Sequence, residues 1–245
     1  MTKKILVIGE SCTDVFIYGD THRKSPEGKG PVLLVKSEVY YGGMAANTYN
    51  NLTALGANVT LRTQNSEILK TRYLNDETNE LYLRVDEFDT VSQIDMEILP
   101  NLTEYDAIVI SDYNKGFLTE ADIQIIASQH PLVIVDTKKH LGDWCRNIKF
   151  IKLNRAETEK NLEYITQNQW LIPKVISTLD KDGASYMHQL IPTKRVEIVD
   201  ISGAGDTFVA GFTIEYLESG NILKSIQFAN DCATKVIIKR GVTTV

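Results

Sequence analysis

Lys4-Ile5-Leu6-Val7-Ile8-Gly9 is a short apolar run closed by a glycine. A strand with one wet face alternates apolar and polar residues, whereas one that is apolar throughout is buried on both faces, as in a parallel sheet. The pattern returns at Ala107-Ile108-Val109-Ile110, Leu132-Val133-Ile134-Val135, Phe150-Ile151-Lys152-Leu153 and Val175-Ile176-Ser177. Between these runs lie amphipathic stretches of helical length, such as Thr119 to Ser128, which begins with a Thr-x-x-Asp cap signal. Strands alternating with helices imply right-handed crossovers and a sheet covered on both sides. The fold class is therefore α/β.

Two stretches break the alternation. Val15 to Tyr41 holds two β-rich pieces, Val15-Phe16-Ile17-Tyr18 and Val32-Leu33-Leu34-Val35, around a polar, glycine-rich loop from Thr21 to Gly30. Leu69 to Val85 alternates loosely around the turn-prone Asn75-Asp76-Glu77-Thr78-Asn79. Both predict antiparallel strands. A small β-sheet built from insertions at about 14–42 and 68–88 then forms a lid on one domain spanning 1–245. The last third is helical: Ala204 to Ser219 ends at Gly220, and Ser225 to Lys239 carries Ile226, Ala229, Cys232 and Val236 on one stripe.

Charge and cysteine content narrow the function classes. With 26 Lys+Arg against 32 Asp+Glu the 245-residue chain has a formal charge of −6. That argues against a duplex-wide phosphate-binding surface, so no nucleic-acid partner is expected. Cys12, Cys145 and Cys232 are scattered and lack metal or disulfide spacing. No run approaches the ~18 apolar residues of a membrane span, and a strand rather than a signal peptide follows Met1-Thr2-Lys3-Lys4. A reduced, soluble, cytoplasmic protein without a membrane partner is the expectation.

Asp200-Ile201-Ser202-Gly203-Ala204-Gly205-Asp206-Thr207 is the most informative segment for chemistry. It follows a strand-like run, Arg195 to Val199, and opens a helix. Small residues at 202–205 let the chain turn sharply so that successive N–H groups and the helix N-terminus converge on one anion. Asp206 in the first turn faces the same point, which suits a base that takes a proton from a hydroxyl attacking that anion. In isolation the segment reads equally well as a capped helix after a glycine turn. Tyr41-Gly42-Gly43-Met44-Ala45-Ala46-Asn47 allows close approach of a ligand, with Asn47 offering donor and acceptor to sugar hydroxyls. Asn154-Arg155-Ala156-Glu157 puts an amide and a carboxylate on one helix face, as a water-mediated Mg²⁺–phosphate site requires. Each of these, alone, is also an ordinary helix start. Asp14 lies beyond the C-terminal end of the first strand, where α/β proteins bind ligands. Asp112 and Lys115, in Ser111-Asp112-Tyr113-Asn114-Lys115-Gly116, are placed to grip a hydroxyl and a phosphate. Arg23, Lys24, Lys70, Arg72 and Arg84 read mainly as a solvated charged face of the lid. No Gly-x₄-Gly-Lys-Ser/Thr loop, nucleophile–His pair or His metal spacing occurs.

Taken in order, Gly-Gly-x-x-x-Asn, Asn-x-x-Glu and Gly-Ala-Gly-Asp resemble the ribokinase-type (PfkB) carbohydrate kinases over nearly the whole chain. Arg23-Lys24-Ser25-Pro26-Glu27, Pro31-Val32, Ser111-Asp112-Tyr113-x-Lys115-Gly116 and Gly241-Val242-Thr243-Thr244-Val245 narrow the resemblance to one branch, the heptose 7-phosphate kinases. The resemblance implies a three-layer α/β/α sandwich with a β-sheet lid. It implies ATP-dependent phosphorylation of the anomeric hydroxyl of D-glycero-β-D-manno-heptose 7-phosphate, a step toward ADP-heptose and the lipopolysaccharide core. It makes Asp206 the base and Gly203, Ala204 and Gly205 the anion hole. Asp14, Gly42, Gly43 and Asn47 become sugar-binding positions, joined by Asp112 and Lys115. Asn154 and Glu157 become the Mg²⁺–phosphate pair. Thr178, Asp180, Gly183, Gly205 and Asn230 fall at nucleotide-binding positions, with Asp180 where the family has the first glycine of a Thr-x-Gly-x-x-Gly turn. Asp200, Ile201 and the turn near Gly241 resemble a monovalent-cation (K⁺) site, and lid strands of this kind pair into a homodimer. Two departures stand out: a helix–strand pair is missing between Thr63 and Lys70, and no nucleotidyltransferase domain follows Val245. Another kinase of this type acting on a hexose, pentose or nucleoside, or a non-catalytic sugar- or nucleotide-binding relative, stays open on the sequence.

Overall fold

Ile5, Leu6, Val7 and Ile8 are completely buried, as a strand covered on both faces must be. In the computed structural model, which describes residues 2–245, they form β1 (Lys4–Gly9). The chain continues at once into β2 (Ser11–Lys24), β3 (Pro31–Met44), α1 (Ala45–Ala54) and β4 (Asn58–Arg62). After β5 (Leu69–Asn75) and β6 (Leu81–Glu87) come β7 (Ala107–Asp112), α2 (Glu120–Gln129) and β8 (Val133–Thr137). β9 (Phe150–Asn154), α3 (Arg155–Gln167), β10 (Val175–Thr178), β11 (Ala184–Tyr186) and β12 (Gln189–Ile191) follow. Two long helices, α4 (Ala204–Ser219) and α5 (Ile222–Ile237), end the chain.

Eight strands make one sheet in the order β12-β11-β10-β9-β8-β7-β1-β4. β4, β1, β7, β8, β9 and β10 run parallel, and the β11–β12 hairpin adds an antiparallel edge. Consecutive side chains of each strand enter opposite cores. Leu6, Ile8, Ile108 and Ile110 pack with Ile123 and Ile126 of α2. Ile5, Val7 and Val109 pack with Leu52 of α1, Phe208 and Phe212 of α4 and Ile226 of α5. Helices therefore cover both faces, in three layers. Strand order reverses between β1 and β7, and the crevice at such a switch point is where open α/β sheets bind ligands.

The second sheet has the order β3-β2-β5-β6. β2–β3 and β5–β6 are antiparallel pairs, as the sequence predicts, but β2 and β5 pair in parallel. The reason is topological. β1 and β4 are parallel neighbours, so the chain leaves both at the same rim and enters the small sheet in the same direction. The short link after β4 is pinned by Gln64, whose side chain accepts from Ser11 N at 3.0 Å and donates to Ser11 O at 2.6 Å.

The strand-like run Arg195 to Val199 is a correction: it is neither strand nor helix. Its apolar residues serve elsewhere: Val196 and Ile198, with Arg195, line a cavity, and Val199 N donates to Ile237 O of α5 at 2.9 Å. The final helix starts at Ile222, three residues before the predicted Ser225, because Asn221 caps it by accepting from Lys224 N at 3.0 Å.

Candidate active site

Asp200 builds the turn before α4. One of its oxygens accepts from Ser202 N at 2.8 Å, and the other accepts from Gly241 N at 3.0 Å. Gly203 then adopts φ 80°, a left-handed conformation, and a Cβ there would stand 2.4 Å from Asn47 Nδ2. Only glycine lets Asn47 come this close. The first amides of α4 follow, and Asp206 in its first turn is buried.

Both carboxylate oxygens of Asp206 are engaged. Asn47 Nδ2 donates to one at 3.0 Å and the Tyr113 hydroxyl donates to the other at 2.8 Å. Burial pushes the carboxyl up to about 6, against the pull of the Asn47 and Tyr113 hydrogen bonds and with a further push from Asp136. That value suits a general base near neutral pH. Asn47, expected at the sugar hydroxyls, instead holds the base, and is itself oriented by Asn51 Nδ2 at 3.0 Å. Tyr113 comes from the loop after β7, and burial raises its hydroxyl well above the usual phenol range.

Two cavities meet at this point. The larger, about 470 Å³, is lined by the apolar Ile198, Ile201, Phe208 and Ala233 and by the cationic Lys138, Lys152, Lys181 and Arg195. Asn154, Thr178, Asp180, Gly183, Gly205 and Asn230 all line it. Asp180 has φ 53°, so the backbone keeps the left-handed conformation of the glycine it stands in for, which aspartate tolerates better than most residues. The smaller cavity, about 130 Å³, is lined by Asp14, Met44, Lys70, Arg72, Arg84, Gly203 and Asp206. Tyr113 walls both, with Lys70 Nζ and Lys138 Nζ each 5.3 Å from its ring centroid. Asp14 pairs with Arg72. A Cβ on Gly43 would fall 2.0 Å from the Asp14 carboxylate, so that glycine clears space for the acid; Gly42 abuts Ala46 and lines neither cavity.

Asn154 and Glu157 form a reciprocal capping box on α3: Asn154 accepts from Glu157 N at 2.9 Å and Glu157 accepts from Asn154 N at 2.7 Å. Glu157 also pairs with Lys138, which connects the box to the larger cavity. Lys152 faces Asp136 at 3.0 Å. Burial works against its charge, yet Asp136 and Glu157 hold its ammonium above the usual range. Asp136 keeps its second oxygen buried without a hydrogen-bond partner.

Asp112 and Lys115 line neither of these two cavities. Asp112 is buried and accepts from Lys139 Nζ at 2.8 Å, while Lys115 pairs with Asp89. Strand alternation explains it: Asp112 turns into the sheet interior and the next residue, Tyr113, turns toward the base. The solvated-face expectation fails for Lys70, Arg72 and Arg84, which line the smaller cavity. Lys138 and Lys152 join the site without a motif to mark them. Lys138 follows β8 at the sheet's ligand rim, a positional signal, whereas Lys152 lies mid-strand in β9 and is marked only as the one charged residue of an apolar run. Cys12 beside Asp14 is no nucleophile, as burial and that carboxylate push its thiol up to about 12.

The comparisons agree with this geometry. The chain is 32% identical over 297 aligned positions to "Bifunctional protein HldE" of Helicobacter pylori strain J99, covering 98% of this chain and 64% of that protein. The chain thus spans just under two thirds of that relative, and the alignment is longer than the chain, so the relative carries segments absent here. Among solved structures, ribokinase from Thermotoga maritima superposes with a TM-score of 0.75 at 16% identity, covering 98% of this chain and 94% of that one. Phosphofructokinase-2 from Escherichia coli in complex with potassium does so at 0.73 and 16%, covering 99% and 94%. The fold is ribokinase-like. The family profile "pfkB family carbohydrate kinase" matches residues 67–245, most of the chain, including the turn from Asp200 to Asp206. On this match and the identity to the Helicobacter relative, the chain belongs to the pfkB family of carbohydrate kinases.

Proposed function

We propose that the chain transfers the γ-phosphoryl group of ATP to the anomeric hydroxyl of D-glycero-β-D-manno-heptose 7-phosphate, giving the 1,7-bisphosphate for ADP-heptose and lipopolysaccharide-core synthesis. One observation carries the proposal: a buried Asp206, with its carboxyl raised to about 6, stands at a helix N-terminus where a nucleotide-sized cavity and a charged one meet. The heptose assignment draws on the branch motifs and on HldE relatives at about 30% identity over 98% of the chain.

In this scheme the hydroxyl gives its proton to Asp206 as its oxygen bonds to the γ-phosphorus, and the bond from phosphorus to the bridging oxygen of ADP breaks. Amides of the Gly203–Gly205 turn and the α4 terminus hold charge on the transferred group. Lys152, against which a Cβ of Gly205 would stand at 2.9 Å, adds a cation beside that turn. The apolar side chains lining the larger cavity take the nucleotide base, and Asn230, which also lines it, is fixed by donating to Ile191 O at 3.0 Å.

Asn154, which lines the larger cavity, and Glu157, whose oxygens are engaged by Asn154 and Lys138, are the residues that would hold Mg²⁺ through water. When bound, Mg²⁺ neutralises charge on the nucleotide phosphates. Asp200, with the buried and unpartnered Thr243 hydroxyl nearby in sequence to Gly241, fits a monovalent cation such as K⁺. We further propose a cytoplasmic homodimer formed through the lid; among the described residues no helix is long and apolar enough to cross a membrane.

The test is turnover by Asp206→Asn, which preserves shape and removes the base. We expect kcat to fall ~10²–10⁴-fold with both KM values nearly unchanged. A substrate panel should place heptose 7-phosphate ahead of other sugars in kcat/KM by orders of magnitude. Wild-type turnover by Asp206→Asn overturns the mechanism; a better hexose, pentose or nucleoside overturns the substrate.

A further inference from the structure

Lys70 is 6% exposed, and its ammonium forms no ion pair among the described residues. Its polar contact is Met44 Sδ at 3.2 Å, a weak acceptor, and its other neighbour is the face of Tyr113. Buried ammonium groups are normally paired, because the interior solvates charge poorly. The nearby carboxylates are taken. Asp86, opposite Lys70 in the β5–β6 register, gives its oxygens to Arg84 at 2.6 and 2.8 Å, and Asp14 pairs with Arg72. Arg72 and Arg84 also stand directly opposite each other, each held by its own carboxylate, so Lys70 is the one cation of the three without an ion-pair partner among the described residues. All three cations line the smaller cavity and none lines the larger one.

We propose that Lys70, with Arg72 and Arg84, is a phosphate-monoester subsite for the acceptor, so that the lid selects sugars that already carry a phosphate. The inference rests on the kinase reading of Asp206 and names which acceptors that kinase takes. The anion belongs to the acceptor rather than to the nucleotide, because the cations rise from β5 and β6 on the side of Tyr113 away from the apolar nucleotide cavity. Lys70 supplies a desolvated charge-assisted hydrogen bond and the arginines planar donors, a combination matched to a tetrahedral dianion.

The experiment compares wild type, Lys70→Met and Arg84→Gln on matched pairs: heptose 7-phosphate and heptose, fructose 6-phosphate and fructose, ribose 5-phosphate and ribose. For the best phosphorylated sugar, Lys70→Met should lower kcat/KM roughly 10- to 100-fold, mostly through KM. The unphosphorylated partner and the KM for ATP should change by no more than about 3-fold, on the scale of a lost surface contact. Lys70→Met should melt at or above the wild-type temperature, since it removes a buried charge. Arg84 is half-exposed, so Arg84→Gln carries the same test without risk to folding. Equal losses on both members of a pair, a loss confined to ATP, or a wild type indifferent to the phosphate overturn the subsite. If a different sugar phosphate is preferred and that preference depends on Lys70, the heptose assignment fails and the subsite stands.

Discussion

Asp206 sits at the balance between stability and activity. Its folded value of about 6 lies above the ordinary 3.8, so the folded chain binds a proton more tightly than the unfolded chain between these values. Stability from this group is complete below about 3.8 and is lost as pH rises through about 6. At one pKa unit per ~1.4 kcal/mol, the ionised base costs the fold about 3 kcal/mol at pH 8. Asp206→Asn should therefore melt on the order of 6–12 °C higher at pH 8 and converge with wild type near pH 4. Thermal unfolding at both pH values checks this, and parallel melting curves would contradict it. Catalysis runs the opposite way: kcat/KM should fall as pH drops through about 6, a limb absent from the residual activity of Asp206→Asn. Gly203 is the second sensitive position. Gly203→Ala places a methyl on Asn47 in a left-handed backbone, so it should cost roughly 1–3 kcal/mol and at least ~10-fold in kcat. A crystal structure showing Asn47 still on the base would argue against that route. Asp206 was legible in the sequence because turn, anion hole and acid are consecutive. Asn47 and Tyr113 were not legible as its partners, because they lie 159 and 93 residues away and meet it only through the sheet.

Among the elements, the two capping boxes make a natural comparison. Asn154 with Glu157 starts α3 at the nucleotide cavity, and Thr119 with Asp122 starts α2 away from it. Loss of either cap should cost ~1 kcal/mol. Asn154→Ala should also raise the KM for ATP several-fold, whereas Thr119→Ala should leave it unchanged; equal KM values in both would reduce Asn154 to a cap. The central strands β1 and β7 to β10 were legible because continuous apolar runs have few other uses. β4 was not, since it forms an edge and its pattern is broken by polar residues. The β11–β12 hairpin hid for a different reason. Its turn places Met187 and His188 at φ 46° and 64°, where a hairpin usually advertises itself with Asn-Gly. Arg195 to Val199 reads as a strand because its valines and isoleucine favour extended backbone, yet Val196 and Ile198 line a cavity and no neighbouring strand pairs with them.

The whole molecule is asymmetric in its surface. Its large sheet is sheathed by helices, but the lid leaves Leu34, Val35 and Tyr40 on β3 and Leu81 and Leu83 on β6 exposed. Exposed apolar side chains on the outer strands of an open sheet are normally covered or blunted by charge. The homodimer proposed through the lid would cover them. Leu34→Lys together with Leu83→Lys should halve the sedimenting mass, and a wild type already monomeric at micromolar concentration would dismiss the dimer. The resemblance to known kinases conveyed the architecture correctly at this scale, including the lid. The direction in which its two hairpins join required knowing that β1 and β4 share a rim.

The phenol that separates the two cavities has one more effect. Each oxygen of the Asp206 carboxylate accepts one hydrogen bond, from the Asn47 amide and from the Tyr113 hydroxyl, and each keeps a further acceptor site. The same ring that partitions the cavities thus sets the orientation of the acid before any acceptor arrives, so that on the proposed reading of Asp206 aim is a property of the empty protein.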